Sequence, residues 1–586
     1  MLLAVPGLAF DGIDFRVQGA DAGVEDTLRD SSALLQAETE GTTNPQDLFA
    51  AAEAEYGRLV GALYAEGYYS PVVNVLIDGR EAATIPALDA PASIGSITVI
   101  VRTGPPFRFG TARIAPLATG TELPAGFATG QPARSETVRE SVAAAIGGWR
   151  DVGHARAATG AQSLVADHRT ARLSADITIA PGQRLRFGTL RITGYDRMRP
   201  ERIREIAGLP EGRTFSPADL NRSADRLRRT GVFRAVSLAE DDAVTPPDLL
   251  GITATVLEEK PRHYSFGAEL ASFDGLTLSA EWIHRNLFGG AERLTIGAEI
   301  TNIGAQDSGV DYSLGVSLSR PATFTPDTTV GLNFELSRLD EDDFTTEMAL
   351  LGLTATHYFS DRLTGRAALE YTFGTSQDAT GTLDRSQLAL PLGLTFDSRD
   401  SALDATKGIY ADLGVMPFIG FDETTSGTRA TLDARAYRGF GTDRRFVLAG
   451  RLQAGAIFGA DLATTPRDML FYSGGGGTVR GHPYQSLGVE VLRNGGQPVE
   501  TGGTLFLGAS VELRAKVSDR IGVVGFYDVG QISAMRFDNS GGTHSGAGLG
   551  LRYETGFGPI RLDVAAPVSG DTGNGVQLYV GIGQAF

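Results

Sequence analysis

The sequence predicts three small α+β domains followed by a 16-stranded antiparallel transmembrane β-barrel. Three observations lead to this prediction. A motif near residue 107 recurs near residue 185, the chain from about His263 onwards alternates apolar and polar residues, and glycine supplies 75 of the 586 residues. A glycine content well above the usual ~7% suits a protein with many strands and tight turns.

Composition excludes several classes of protein. The net charge of −18 argues against a nucleic-acid binder, because such proteins usually carry a basic domain or stripe. The chain has no cysteine, so it holds no disulfide, thiolate metal site or cysteine nucleophile. No run of about 18 apolar residues occurs, and we therefore expect no membrane-spanning helix.

Residues 1–9 are apolar and end in a small residue. This pattern resembles the last part of a secretory signal peptide whose charged beginning is missing. The alternative is a hydrophobic strand that opens the first domain. The start of that domain depends on which interpretation is right.

An internal repeat divides the first part of the chain. Phe107–Ile114 and Leu185–Ile192 are identical at six of eight positions and lie 78 residues apart, a length that suits one small folded unit. Each unit has an amphipathic segment ending at a glycine, the usual left-handed end of a helix. We expect the order strand, helix, helix, strand, strand three times, with domain boundaries at 10–104, 105–183 and 184–261.

The region 262–586 alternates with period two in sixteen successive segments. In 294–300 and in 576–582, the aliphatic residues occupy every second position. A soluble sandwich also alternates. The segments of about 10–14 residues are nevertheless longer than the ~5–6 typical of globular sheets. Short and long turns also alternate, as in outer-membrane barrels, so we predict a barrel with a lipid-facing side and a polar lumen.

The third unit, which contains Phe215–Leu220 and Gly231–Phe233, resembles a POTRA domain. Three such units before a barrel resemble the BamA/TamA outer-membrane assembly family, and within it the translocation and assembly module for autotransporters. The resemblance implies periplasmic N-terminal domains, a barrel in the Gram-negative outer membrane, and insertion of other outer-membrane barrels without a nucleotide.

The same resemblance implies the partners. These are unfolded outer-membrane β-barrel clients, outer-membrane lipid, and a TamB-like inner-membrane-anchored protein at the N-terminal domain, with no nucleic acid. Two rival functions remain. A two-partner secretion transporter is similar in architecture but typically carries two POTRA domains and a plug helix. A passive porin-like channel has no need of the N-terminal domains.

The longest segment without strand pattern, 459–502, lies between segments eleven and twelve. From composition it is a flexible external loop, and Arg480 within 473–488 is a solvated arginine. Arg480 nevertheless offers a planar fork of donors that suits a carboxylate. By resemblance, Val479, Arg480, Gly481 and His482 form the family's loop motif, which folds back into the barrel lumen. His482 stands where the family usually has tyrosine or phenylalanine.

Segment thirteen offers a partner for this arginine. Its alternation places Phe526, Asp528 and Gly530 on the lumen side and Tyr527 outside. From the residues alone, Asp528 is a lumen carboxylate in water. By resemblance it pairs with Arg480, and we expect the pair to hold the loop in position.

The sequence ends with a strand-like segment and an aromatic residue, Phe586. Outer-membrane barrels resemble this, and their last strand serves as a recognition signal. Tyr579, Gly581 and Gly583 lie in the same segment, and glycine weakens a strand because it adds entropy and no packing. By resemblance, the first and last strands, about 263–272 and 574–586, meet at a weak seam.

Enzyme chemistry finds little support in the sequence. The seven histidines are scattered without metal-ligand spacing. We find neither a nucleophile elbow nor a phosphate-binding loop. Asp397, Asp400 and Asp404 lie close together but lack the spacing of a calcium loop. We expect no catalytic activity, cofactor or metal.

Overall fold

The computed structural model describes residues 10–586 apart from eleven short gaps. The gaps are 272–274, 305–308, 341–343, 379–380, 423, 461, 463–464, 493–497, 535–541, 557 and 571–574. The interpretation of residues 1–9 as a signal remnant lies outside the described residues. Among the residues that the structure describes, no helix is long and apolar enough to cross a membrane.

The chain divides into two compact units. The first holds the residues up to Arg191 together with Leu209–Asn221 and Ala239–Thr253. The second holds Ile192–Gly208, Arg222–Leu238 and Ala254–Phe586.

The first small sheet combines four strands with three helices. Its elements are β1 (Ile13–Gln18), α1 (Ala22–Ser31), α2 (Ala33–Thr39), α3 (Pro45–Ala65), β2 (Val72–Ile77), β3 (Arg80–Glu81) and β4 (Ile97–Arg102), in the sheet order β1-β4-β2-β3. The expectation of two helices was wrong here. Ser32 ends α1 and its side chain accepts from the Leu35 amide, which starts α2.

The second small sheet carries one helix. Its elements are β5 (Arg108–Ala115), α4 (Ser135–Asp151), β6 (Ala158–Asp167) and β7 (Arg172–Ala180), in the order β5-β7-β6. Two helices were expected here as well, which was wrong. The segment before α4 contains Pro116, Pro124 and Pro132, and a proline inside a helix removes a backbone donor and clashes with the preceding turn.

The third small sheet has the expected order of elements. These are β8 (Arg186–Thr193), α5 (Pro200–Ala207), α6 (Pro217–Arg229), β9 (Phe233–Thr245) and β10 (Leu249–Glu258), and β10 lies in the middle of the sheet. Gly208 ends α5 in the left-handed conformation. The repeated motif opens the second and third sheets as β5 and β8. Its phenylalanines Phe109 and Phe187 are buried and lie against Phe127 and Phe215.

The described strands after β10 form one large antiparallel sheet, apart from a small pair, β23 (Val489–Leu492) and β24 (Pro498–Thr501). The first eight strands of the large sheet are β11 (Arg262–Ala271), β12 (Gly275–His284), β13 (Arg293–Ile303), β14 (Asp311–Arg320), β15 (Thr328–Asp340), β16 (Phe344–Tyr358), β17 (Leu363–Asp378) and β18 (Gly381–Ala389). The remaining nine are β19 (Leu392–Asp397), β20 (Lys407–Asp422), β21 (Gly427–Phe440), β22 (Phe446–Phe458), β25 (Leu505–Lys516), β26 (Ile521–Ser533), β27 (Thr543–Tyr553), β28 (Ile560–Ser569) and β29 (Gln577–Ile582).

This sheet has 17 strands, whereas sixteen were predicted. The difference arises because β18 and β19 both pair with β17 on one side and with β20 on the other. The two therefore share one position, which is interrupted at Leu390-Pro391. Proline has no backbone N–H to donate to a ladder. The neighbours of each strand otherwise follow the chain order.

The two faces of the large sheet differ in chemistry. One face exposes large apolar side chains such as Leu332, Leu513 and Leu551. The other buries charged side chains, among them Glu512 and Arg514 on the strand that carries Leu513. Alternation along each strand produces this separation, since successive side chains point to opposite faces.

Candidate functional site: the inward-folded loop

The chain between β22 and β25 folds against the polar face of the large sheet. Ser473 and Leu487 exchange two backbone hydrogen bonds at 3.0 and 3.1 Å and close a compact turn between them. Inside this turn the Gly475 amide donates to the His482 carbonyl at 3.0 Å. Val479 and His482 are fully buried, so the loop motif of residues 479–482 lies at the centre of a packed site.

Arg480 makes a two-pronged contact with Asp528 of β26. Its Nε and Nη2 donate to the two carboxylate oxygens at 2.7 and 3.0 Å, and its backbone amide donates at 3.1 Å. Both side chains are buried. A planar guanidinium fork on a carboxylate is a strong and directional arrangement, and it fixes both the side chain and the backbone of the motif.

Two further carboxylates converge on the same guanidinium. Nη1 of Arg480 donates to Glu512 of β25 at 2.8 Å and to Asp563 of β28 at 3.3 Å. The Phe526 ring lies beneath, with its centroid 3.5 Å from the Arg480 Cζ. A cation over an aromatic face gains most where water is excluded. One loop arginine thus ties together three strands of the sheet.

The charges extend beyond the loop as a network of alternating sign. Arg514 donates to Glu512 at 2.9 Å, and Arg552 donates to Asp563. The charge network therefore contains three carboxylates and three guanidinium groups, all buried: Glu512, Asp528, Asp563, Arg480, Arg514 and Arg552. A balanced network can tolerate burial, whereas loss of one member leaves an uncompensated charge.

Glycines on the strands give the loop room to dock. A Cβ on Gly546 of β27 would lie 1.8 Å from the Arg480 carbonyl oxygen. A Cβ on Gly548 would lie 2.4 Å from the Phe526 ring, and one on Gly530 would lie 2.9 Å from Val479. Real Cβ atoms do not approach so closely, so Gly546 and Gly530 leave room for the loop itself, and Gly548 leaves room for the ring that lies beneath Arg480.

His482 lies in a buried position next to a second histidine. Its Nε2 contacts the Ser545 carbonyl oxygen at 3.1 Å, and its ring meets His544 edge to face with centroids 5.7 Å apart. His544 in turn contacts the Ser473 hydroxyl at 2.7 Å. The imidazole thus packs as an aromatic ring and also bonds to the backbone of β27.

Tyr579 connects the loop motif to β29, the last strand of the sheet. Its hydroxyl accepts from the Gly481 amide at 3.0 Å and donates to the His482 carbonyl at 3.3 Å. Gly581 lies two residues further on, beneath the Arg561 guanidinium.

The prediction that the last strand continues to Phe586 was wrong. The strand β29 ends at Ile582, because Gly583 adopts a left-handed φ of 86°. The chain then turns inward, where the Gln584 amide donates to the Leu403 carbonyl at 2.8 Å. Phe586 is buried, and its carbonyl accepts from Arg514 at 2.9 Å. The aromatic ring therefore lies on the charged side of the sheet, with its centroid 5.6 Å from the Arg514 Cζ.

The sequence analysis named Asp528 but missed Glu512, Asp563 and the two further arginines. A signal for them exists in the alternation. Glu512 and Arg514 occupy the same face of β25, opposite Leu513, and Asp563 occupies the corresponding face of β28. Charged residues at inward positions of predicted barrel strands are the pattern that would have found them.

Comparisons with known proteins relate this architecture to others. The family model described as the Omp85 superfamily domain matches residues 286–586, just over half of the chain. The POTRA model, described as the surface antigen variable number repeat, matches 185–258. The outer membrane protein assembly factor BamA of Neisseria meningitidis serogroup B is 22% identical over 460 residues, which cover 68% of this chain and 56% of the relative. The chain thus spans just over half the length of that relative.

Two solved structures share the fold at low sequence identity. BamA from Haemophilus ducreyi lacking POTRA domains 1–3 aligns with a TM-score of 0.62 at 16% identity, covering 81% of this chain and 99% of that one. CdiB from Escherichia coli aligns with a TM-score of 0.50 at 15% identity, covering 81% and 90%. Because the superfamily domain matches more than half of this chain, the chain belongs to the Omp85 superfamily.

Proposed function

We propose that this protein is an outer-membrane protein assembly factor that folds and inserts β-barrel proteins, including autotransporters. The observation that carries the proposal is the contact of Tyr579, on the last strand of the sheet, with the loop motif. Through this contact the buried charge network is connected to the strand where a client would be added. The relative named as an outer membrane protein assembly factor supports the same function.

In this proposal the large sheet closes into a sixteen-position barrel in the outer membrane. The exposed apolar face then meets lipid, and the charge network lies in the lumen. The residues 10–104, 105–183 and 184–261 form three POTRA-like domains in the periplasm. An apolar exterior with a polar interior is the arrangement that a transmembrane barrel requires.

The proposed seam lies between β11 and β29. Within the described residues, backbone pairing joins β11 to β12 and β29 to β28, and it links neither strand to a second neighbour. The strand β29 has only six residues, and Gly581 is one of them. A short, glycine-containing strand offers few hydrogen bonds and little packing, which favours a seam that opens.

Opening the seam would provide the driving force for insertion. Unpaired backbone groups in lipid cost several kcal/mol each. An incoming client strand relieves this cost by pairing with the free edge, so the seam acts as a template and no nucleotide is needed. Exposed edges of the small sheets, such as β6, can hold an extended client beforehand by β-augmentation.

Within the superfamily we place the protein with the translocation and assembly module. This placement is supported by the number of small domains, since three small sheets with their helices precede the large sheet. By this assignment the first domain, 10–104, contacts a TamB-like partner anchored in the inner membrane. Co-purification of such a partner with the full chain, and its loss when 10–104 is removed, would test the assignment.

Quantitative proteomics of outer membranes from a deletion strain tests the function itself. We expect several barrel proteins to fall in abundance and to recover with the wild-type gene but not with Arg480→Ala. Loss of one secreted soluble protein with all barrels intact would identify a two-partner secretion transporter instead. Unchanged barrels together with large single-channel conductance would identify a passive channel.

A further inference from the structure

A positively charged cleft lies within the second unit, where the end of α6 covers the ends of four strands. The cleft has a volume of about 180 Å³ and lies at the ends of β13, β14, β15 and β16. Three arginines line it: Arg226, Arg229 and Arg293. The described residues that line this arginine cleft include no carboxylate.

One of the three arginines has a structural partner. Arg226 places its fork on Asp327 in the turn after β14, with Nε donating at 2.8 Å. Its Nη1 also donates to the carbonyls of Ala207 and Gly208 at 3.1 Å. Burial opposes ionisation of Asp327, but the hydrogen bonds from Arg226, together with the charges of Arg226, Arg229 and His357, outweigh it and lower the pKa of this carboxyl. Arg226 therefore holds α5 and α6 on the sheet.

The charges of the other two arginines are less fully compensated, although Arg229 interacts electrostatically with the Asp327 carboxylate. Within the described part of the chain, neither Arg229 nor Arg293 has a carboxylate oxygen within ion-pair distance. Arg229 lies over the Tyr358 ring at 4.0 Å, which orients its guanidinium. Ser319 and Thr329, two residues that carry hydroxyl groups, also line the cleft. Two guanidinium groups beside two such residues offer donors to an anion.

The face of the sheet decides which kind of anion can reach the cleft. Arg293 and Ser319 are direct cross-strand partners and share a face. The neighbouring pair, Leu294 and Leu318, lies on the opposite face, which also exposes Leu314. The cleft therefore opens on the polar side of the sheet, away from the apolar side proposed to meet lipid, and its ligand comes from water.

We propose that the arginine cleft binds carboxylate side chains of extended, acidic client polypeptides. A guanidinium fork matches a carboxylate in two parallel hydrogen bonds, and the hydroxyls can donate to the same group. The volume admits a side chain but no folded element. This inference rests on the proposed function. It adds that acidic side chains are the feature of the client that is recognised at this end of the sheet.

The test is fluorescence anisotropy with the full-length protein in detergent micelles. Two labelled unstructured peptides are compared, one with four glutamates and one with glutamines at the same positions. We expect the wild type to bind the glutamate peptide about tenfold more tightly, in line with hydrogen bonds to charged groups. The double variant Arg229→Gln/Arg293→Gln should lose this preference. Equal affinity of the two peptides for the wild type would overturn the proposal.

Control variants separate the cleft from general electrostatics and from misfolding. Arg338→Gln removes an exposed arginine paired with Glu347 elsewhere on the sheet and should keep the preference. Each single variant, Arg229→Gln and Arg293→Gln, should lose part of it while the thermal unfolding midpoint is unchanged. A preference that persists in a folded double variant would contradict the inference.

Competition experiments distinguish the ligand sources. Inorganic phosphate and phosphatidylglycerol micelles are added to the bound glutamate peptide. Weak displacement by both, comparable to that by chloride, supports a polypeptide carboxylate. Displacement of the peptide by phosphatidylglycerol at micromolar concentration would identify a lipid headgroup as the ligand and contradict the proposal. Because this binding assay is independent of outer-membrane proteomics, either idea can fail while the other stands.

Discussion

Gly481 lies against the backbone of Ala566 with no room for a side chain between them. A Cβ on Gly481 would come within 2.6 Å of the Ala566 carbonyl carbon and 2.7 Å of its oxygen. Gly481 also has a φ of 99°, a conformation that residues with a Cβ rarely adopt. The loop motif therefore depends on this glycine both for its shape and for its contact with β28.

The first prediction concerns this contact. Gly481→Ala should displace the loop motif, because the added methyl meets backbone atoms that cannot move aside. Trypsin cleavage after Arg480 measures the displacement, since this arginine is buried in the wild type. We expect rapid cleavage in the variant and protection in the wild type, both in detergent micelles.

Gly477→Ala is the matched control in the same loop. Its Cβ would meet no atom within 4 Å, so the variant should remain as resistant to trypsin as the wild type. Equal resistance of Gly481→Ala and Gly477→Ala would show that the loop does not depend on close approach to β28.

The second prediction concerns the charge network. Arg480→Ala leaves three carboxylates without their shared cation, whereas Asp528→Ala leaves Arg480 with Glu512 and Asp563. Each change should destabilise the large sheet by roughly 3–5 kcal/mol, with Arg480→Ala the more severe. Equilibrium unfolding in urea gives the free energies, and a double-mutant cycle should show coupling above about 1 kcal/mol. Additive effects would mean that the two side chains act independently.

The third prediction tests the connection between the loop and the last strand. Tyr579→Phe keeps the ring but removes the acceptor of the Gly481 amide and the donor to the His482 carbonyl. An unpaired buried amide costs about 1–3 kcal/mol. Trypsin should therefore cut after Arg480 faster than in the wild type but more slowly than in Gly481→Ala. Cleavage at the wild-type rate would argue that Tyr579 does not restrain the motif.

The fourth prediction concerns pH and the first domain. Glu55 is fully buried and accepts from the Ser32 hydroxyl and from the amides of Ala33 and Leu34. Burial raises its pKa, although these hydrogen bonds partly offset the effect. The folded state then holds the proton more tightly than the unfolded state. Protonation of Glu55 therefore stabilises the folded domain. This contribution is fully present below the usual glutamate pKa near 4.5, and it is lost as pH rises through the raised pKa of Glu55.

Glu55→Gln should remove this pH dependence. Hydrogen exchange of the α2 amides is measured for both proteins at each pH. The ratio of the two exchange rates reports the difference in protection, because the pH dependence of intrinsic exchange cancels. We expect protection in the wild type to fall relative to Glu55→Gln as pH rises from 4 to 7. A constant ratio over this range would show that Glu55 does not titrate differently in the folded domain.

Much of the fold follows from local patterns in the sequence. Alternation in the second half predicted sixteen antiparallel strands, and the large sheet has 17, because β18 and β19 share one position that is interrupted at Pro391. The repeat that opens β5 and β8 predicted the starts of two small sheets. Predictions failed where a single residue overrides the pattern. Ser32 splits one helix, and three prolines prevent another.

The site was less accessible to sequence reasoning because it is built from distant segments. Alternation placed Asp528 and Phe526 on one face, and the structure brings both to Arg480. The sequence could not show which of several inward charges the loop meets, since strand register decides this. It also could not show that Gly583 turns the chain and buries Phe586, because a glycine in a strand-like segment is compatible with continued pairing.

Reconstitution with a locked seam tests the central claim most directly. The chain has no cysteine, so one cysteine in β11 and one in β29, with positions scanned for efficient disulfide formation, gives an unambiguous lock. Insertion of an unfolded barrel client into liposomes containing the protein is measured with the lock oxidised and after reduction. The proposed mechanism predicts that oxidation blocks insertion and that reduction restores it. Normal client insertion with the seam fully crosslinked would contradict it.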